Sequence, residues 1–390
     1  MVKKRRKINT KRMAIVLMIP VICLVLLIVN FTKIRLSIRG YDREAKKVVL
    51  NLDSSEIHDI LDYNHVIDIS KWDRVKNNSH YVLYDTYYRM TKYKTSKVVY
   101  YVDAYYERME DLNFLGYTTS FLFKNSDLYS ISTLDSLITS NIPYEKTKKY
   151  LAVKGAQICD VKGYSDLELS PLKTVLKVSY PGIDSSKKNG RSYTILSPED
   201  SLVLVKEGFS LGSDYAPSDL RKVNVPYATQ PAKLRKEAAD AFEKMYKAAL
   251  KKDHHLVIKS SYRSYDEQKA AYNEAFSNYG STYKLNAVSS AGYNEHQTGY
   301  SVNLTCQDVA DGIYNTFEET SDYNWLEQNA YKYGFILRYP EKSSKKTGVE
   351  NETDHFRYVG IDVAKEIYLK NWVFEDYILH HGFTYNMRLN

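Results

Sequence analysis

Apolar and polar positions follow distinct patterns in successive parts of the chain. From Met13 to Val29 the stretch MAIVLMIPVICLVLLIV carries no charge and Phe31 extends it, close to the about 20 residues needed to cross the hydrocarbon core of a bilayer. It reads as one transmembrane helix over 13–32, because the run is long for the apolar part of a cleaved signal and no small-residue cleavage site follows in NFTKIRLSIRG. Residues 40–195 are instead rich in Tyr and β-branched side chains, interrupted by polar stretches at Asn77-Asn78 and 184–190, and are expected to form a small membrane-proximal α+β domain. A faint likeness between EIHDILDYNHVIDIS (56–70) and YTTSFLFKNSDLYSIS (117–132) fits two copies of one helical unit. The tyrosines here are read as packing residues rather than as a stacking platform for sugars.

From Pro231 the character changes. Leu234, Ala238, Phe242, Met245 and Ala249 recur every three or four residues, the apolar stripe of an amphipathic helix. Leu256-Val257-Ile258 follows as a buried strand. Ser264 with Glu267 forms a capping box that opens a second helix, running through Ala275 and closing at Gly280. A further helix is expected from Trp325 to Tyr333 with its stop at Gly334, then strands at Phe335-Ile336-Leu337 and His355–Val359. Helices and strands mix without a regular βαβ repeat, which predicts an α+β fold for residues 200–390.

Charge alters the picture at one place. The formal net charge is +8, but seven of the 55 basic residues (Lys3, Lys4, Arg5, Arg6, Lys7, Lys11, Arg12) precede residue 13, leaving 48 against 47 acidic ones. The excess is a topology signal: seven cations before the span against Lys33, Arg35 and Arg39 after it put residues 1–12 in the cytoplasm and the rest outside the cell membrane. It also removes the electrostatic ground for a nucleic-acid partner. Of three cysteines, Cys23 falls in the span, while Cys159 and Cys306 leave a single disulfide open but unforced.

A hydrolytic metal site needs imidazole or carboxylate ligands, a position open to water and a base nearby. Two segments offer these: GYNEHQTGYSVNL, with His296 and, seven residues on, Asn303; and ENETDHFRYVG, with Glu352 three residues before His355. Either alone is weak, since a lone histidine beside apolar residues is commonly structural. Their order with SSYRSYDEQ (260–268), EHQTG (295–299), GFILRYP (334–340), TG (347–348) and HFRYVG (355–360), after LVLVKEGFSLGSDYAPSDL, changes the weight. Over about residues 200–390 the chain resembles the VanY-type D-alanyl-D-alanine carboxypeptidases, zinc peptidases related in fold to the hedgehog signalling domain.

The resemblance implies zinc on His296, Asn303 and His355, Glu352 as general base, and Arg263 on the terminal carboxylate of a peptidoglycan stem peptide. Ser260, Tyr262 and Gln268 fall beside Arg263 in the implied substrate site. The sequence departs from the family at Asn303 (aspartate in the family), Asn294 (serine), Ser301 (alanine), Thr353 (proline) and Asp354 (tryptophan). An amide oxygen is a poorer donor than a carboxylate, so metal binding is expected to be weakened, with a metal-free peptide-binding relative as the alternative reading. Asp354 neighbours His355 on an extended strand and is expected to face away from the site. Cys306 is expected to be a small buried apolar residue.

Overall fold

The computed structural model describes residues 30–167, 169–185, 190–229, 231–279 and 289–390. The basic tail, Cys23 and the expected membrane helix up to residue 29 lie outside these residues, as does Gly280. Among the described residues no helix is long and apolar enough to cross a membrane. Contacts divide the chain into two compact units, one ending at Lys124 and the other running from Asn125 to Asn390.

The described part of the first unit is built of helices, the longest being Tyr81–Thr91 and Thr95–Tyr106. This corrects the expected α+β character of residues 40–195, since the first strand of the described chain is Tyr193–Ile195. The residues have strand propensity, but their burial has helical spacing: Tyr81, Tyr84 and Tyr87 on one helix, and Val98, Tyr101, Val102 and Tyr105 on the next, are buried together. Burial of one stripe outweighs the weaker β preference. The tyrosines pack, as expected. Tyr87 stacks on Tyr101 at 4.5 Å, and the Tyr84 hydroxyl donates to Asp103 Oδ1 at 2.5 Å, satisfying its polar end.

The second unit begins with helices, including Ile131–Ser140, Tyr144–Leu151 and Pro171–Ser179, and then forms three sheets. Strand β1 (Tyr193–Ile195) pairs in parallel with β2 (Phe209–Ser210) and antiparallel with β9 (Met387–Leu389). β3 (Leu220–Lys222) and β4 (Lys233–Arg235) make a two-stranded ribbon. The largest sheet is antiparallel, in the order β5 (Leu256–Ser260), β6 (Ser301–Cys306), β8 (Glu352–Tyr358), β7 (Phe335–Tyr339).

Helix Lys236–Leu250 covers one face of that sheet. Ala238, Phe242, Met245 and Ala249 of the stripe join Ile258, Val302, Leu304, Cys306, Phe335 and Phe356 in one core, while Leu234 enters the same core from β4. Cys306 is fully buried there, and both Cys159 and Cys306 are free thiols. Because strand side chains alternate, a β6 that sends Val302, Leu304 and Cys306 to the helix turns Ser301, Asn303 and Thr305 to the other face. The site is built on that second face.

The capping box forms. Glu267 N donates to Ser264 Oγ at 3.3 Å and Ser264 N to Glu267 Oε2 at 2.7 Å, opening helix Tyr265–Tyr279. Helix Ser321–Asn329 tightens into a 3₁₀ turn over Ala330–Tyr333 and stops at Gly334, whose φ of +85° is poorly tolerated by a side chain. A Cβ there would also lie 2.7 Å from Tyr358 Cε2, so Gly334 sets how closely the incoming β7 approaches β8.

Candidate metal and substrate site

Three strands present one row of side chains. Ser260 of β5 is registered with Asn303 of β6, and Asn303 with His355 of β8. Simple alternation from Ile258 would send Ser260 to the core face, but the register between Ile258 and Ser260 contains a bulge at Lys259. The extra residue turns Ser260 to the Asn303 side, where its hydroxyl donates to Asn303 Oδ1 at 3.0 Å.

His296 reaches the same oxygen from the 3₁₀ turn Glu295–Thr298 that leads into β6. Asn294 caps this turn by accepting from His296 N at 2.9 Å, so asparagine performs the capping that serine would at that position. Gly299 closes the turn at φ +72°, with Arg235 Cγ 2.9 Å from where a Cβ would stand. His296 Nε2 lies 2.6 Å from Asn303 Oδ1, and the His296 and His355 rings are 5.0 Å apart.

β8 carries a second irregularity. Leu337 pairs with Phe356 but Tyr339 pairs with Glu352, so Thr353, Asp354 and His355 oppose a single residue of β7. On a regular strand residues three apart face opposite ways. Here Glu352 Oε2 comes within 3.3 Å of His355 Nδ1. The same bulge overturns the expectation for Asp354. Its Oδ1 accepts from Asn303 Nδ2 at 2.9 Å and its Oδ2 from Lys259 Nζ at 2.6 Å, so it lies against the site instead of leaving it.

Beneath the imidazoles lies a buried ionic cluster. Arg338 Nε donates to Glu295 Oε1 at 2.9 Å, and its two terminal nitrogens grip Glu375 at 2.9 and 2.8 Å. Arg357 lies 3.4 Å from Glu295, Lys206 3.4 Å from Glu375, and Glu295 Oε2 3.6 Å from His355 Nε2. Burial alone would raise the Glu295 carboxyl, but Arg338, Arg357 and His355 hold it far below the ordinary carboxylate range. Burial likewise works against a charged His355, yet its contacts with Glu295 and Glu352 hold it up at about 9. His296 is pushed down to about 3 by burial, with His355 and Arg263 adding repulsion, and so is neutral.

The expected substrate residues divide. Arg263 is half-buried and close enough to repel a charge on His296; its backbone N–H donates to His296 O at 3.2 Å. Its guanidinium donates to Gln268 Oε1 at 2.8 Å. Gln268 is buried and its own amide donates to Ser289 O at 2.6 Å, so its hydrogen bonds go to the protein and it acts by fixing Arg263. Tyr262 is held by its backbone, which donates to Lys233 O at 2.9 Å.

These side chains would suit a cation that displaces a proton. His296 is a neutral imidazole whose Nε2 converges with an amide oxygen, and His355, held protonated between Glu352 at Nδ1 and the buried Glu295 at Nε2, would give up one ring proton on binding the cation and keep the other on a carboxylate that orients the ring. His355 Nε2 and His296 Nδ1 are buried without a hydrogen-bond partner. The weak member is the third donor, an asparagine at position 303, and among the described residues no three His, Cys, Asp or Glu side chains form a metal-binding group. Glu295, Arg338, Arg357 and Glu375 were not singled out from sequence. The first three stand inside EHQTG, GFILRYP and HFRYVG, where an arginine within an apolar strand is a signal of a buried ion pair; Glu375 stands in no such motif.

Comparison with known proteins gives a consistent set of likenesses. The family model described as VanY, D-alanyl-D-alanine carboxypeptidase, matches residues 231–361. YodJ of Bacillus subtilis, a protein named as a carboxypeptidase, is 39% identical over 188 residues, covering 47% of this chain and 69% of its own. The bifunctional D-Ala-D-Ala dipeptidase and D-Ala-D-Ala carboxypeptidase VanXYC of Enterococcus gallinarum is 32% identical, covering 46% of this chain and 93% of its own. Among solved structures, the LdcB LD-carboxypeptidase is 38% identical with a TM-score of 0.45, covering 50% of this chain and 92% of that one.

Proposed function

Since the chain belongs to the VanY D-alanyl-D-alanine carboxypeptidase family, we propose that its second unit is a zinc-dependent carboxypeptidase that removes the terminal D-alanine from peptidoglycan stem peptides. The observation that carries this reading is the convergence of His296, Asn303 and His355 on one sheet face, with Glu352 3.3 Å from His355. A zinc ion on these three side chains would supply Lewis acidity to the scissile carbonyl and acidify the attacking water.

The remaining chemistry belongs to the chain. Arg263, braced by Gln268, offers a planar fork to the terminal carboxylate of the peptide. Glu352, about one-third exposed, takes a proton from the attacking water and passes it to the departing D-alanine nitrogen as the C–N bond breaks. Burial keeps His296 neutral and able to donate its lone pair. The uncharged run over 13–29 and the cations before it support a single-pass anchor that holds this unit outside the cell membrane, next to its substrate.

The amide at Asn303 favours a second reading, a metal-free domain that binds stem peptides through Arg263. Zinc analysis and D-alanine release from a pentapeptide separate the two. The enzyme reading expects about one zinc per chain, release abolished in Glu352→Ala, and a KM raised roughly 10- to 100-fold in Arg263→Ala, as expected for a charged hydrogen-bond pair. Peptide binding without zinc and without release establishes the second reading.

A further inference from the structure

Asn303 is flanked by two bulges, whose charged side chains meet beside it. The bulge in β5 lies at Lys259 and the one in β8 includes Asp354. Asp354 uses one carboxylate oxygen on Lys259 Nζ and the other on Asn303 Nδ2. A carboxylate only accepts hydrogen bonds, so the NH₂ end of the Asn303 amide must face Asp354. The carbonyl end is then forced toward Ser260 Oγ and His296 Nε2, where it is found, at 3.0 and 2.6 Å. A carboxylate accepting from an amide N–H also draws electron density onto the amide oxygen, since linked hydrogen bonds polarise one another, and more so away from water. Asp354 is about one-fifth exposed.

We infer that Asn303 and Asp354 act as a split metal ligand: Asn303 supplies the oxygen, and Asp354, one hydrogen bond away, supplies the negative charge and the orientation that a carboxylate at 303 would carry by itself. The inference rests on the zinc-site reading above. Asp354 is thereby a positioning residue, and Lys259 holds its second oxygen so that the first stays on the amide. The two departures from the family at 303 and 354 are then one change, a charge moved outward by one side chain.

The test is zinc affinity of the full chain in detergent, measured by competition with a chromophoric chelator, with cobalt(II) absorption as a second readout of coordination and circular dichroism to verify folding. Asp354→Asn keeps the shape and an acceptor but removes the charge, and should weaken zinc binding roughly 10- to 100-fold, the usual cost of losing an outer partner of a ligand. Asn303→Asp puts a second carboxylate beside Asp354, and like charges at that range oppose each other. In the N303D background the D354N change should therefore tighten binding, and the double variant should hold zinc at least as well as wild type. This reversal of sign is not expected of a merely structural Asp354. Zinc binding by wild type with D354N neutral, or of the same sign in both backgrounds, overturns the split ligand and leaves the zinc site standing. Wild-type binding no tighter than that of His296→Ala removes the zinc site and the split ligand together.

Discussion

Arg338 and Glu375 are fully buried and joined by two parallel hydrogen bonds, with Glu295 on the remaining edge of the guanidinium. Such a pair adds little net stability over an apolar replacement, but removal of one member leaves a buried charge behind. Arg338→Met should therefore cost about 3–5 kcal/mol in chemical denaturation, and a loss below about 1 kcal/mol would mean that the cluster is wetter than its burial indicates. The cluster also reaches the site, because Glu295 lies 3.6 Å from His355 Nε2 and helps keep that ring charged. Single residues were the least legible scale. His296, His355 and Glu352 could be located from their motifs, whereas the place of Asp354 could not, since the irregular pairing of β8 with β7 at 353–355 decides which way it points.

At the scale of elements, amphipathic spacing and caps were read correctly and pairing was not readable. The stripe from Ala238 to Ala249 became the covering helix, and the Ser264 and Glu267 box opened the next one. The Glu267 carboxyl is lowered below its ordinary value by hydrogen bonds from the Ser264 backbone and hydroxyl. A depressed acid stabilises the fold above its unfolded pKa, and that contribution is lost as pH falls through the folded value. Glu267→Gln keeps the capping geometry without the charge, so wild type should exceed it by about 0.5 kcal/mol at neutral pH. The gap should close below the ordinary carboxylate range; a gap that persists in acid would assign the effect to shape instead of charge. The bulges at Lys259 and at 353–355 had no sequence signature, because each is defined only by the strand it fails to match.

The second unit is closed by its far end. Gln157 is fully buried between helices of residues 126–179 and the C-terminal strand; its two amide N–H groups are shared among Gly155 O at 3.0 Å, Tyr180 Oη at 3.0 Å and Met387 O at 2.9 Å, and its Oε1 accepts from Leu389 N at 3.3 Å. β9 in turn pairs with β1. Gln157→Leu would remove two donated bonds and the one accepted from Leu389 N, and at about 1 kcal/mol each the loss should be about 3 kcal/mol, visible as a lowered Tm with zinc content unchanged. Loss of zinc without loss of stability would show that this region acts on the site rather than on the closure of the unit. This linkage explains why the second unit starts at Asn125, although the compositional shift expected to mark a boundary falls near 195–200.

The sequence alone determined the family, the α+β character of residues 200–390, the helix stripe and its capping box, and the two histidines and glutamate proposed for the site, because each is carried by residue type and local spacing. Tertiary structure decided the rest. Strand propensity yielded to helical burial across the tyrosine-rich region, and the buried partners of Arg338 lie far apart in the chain. The neighbours of Asn303 were set by bulges that exist only between paired strands. Register and burial are properties of two segments at once, so no single segment could announce them.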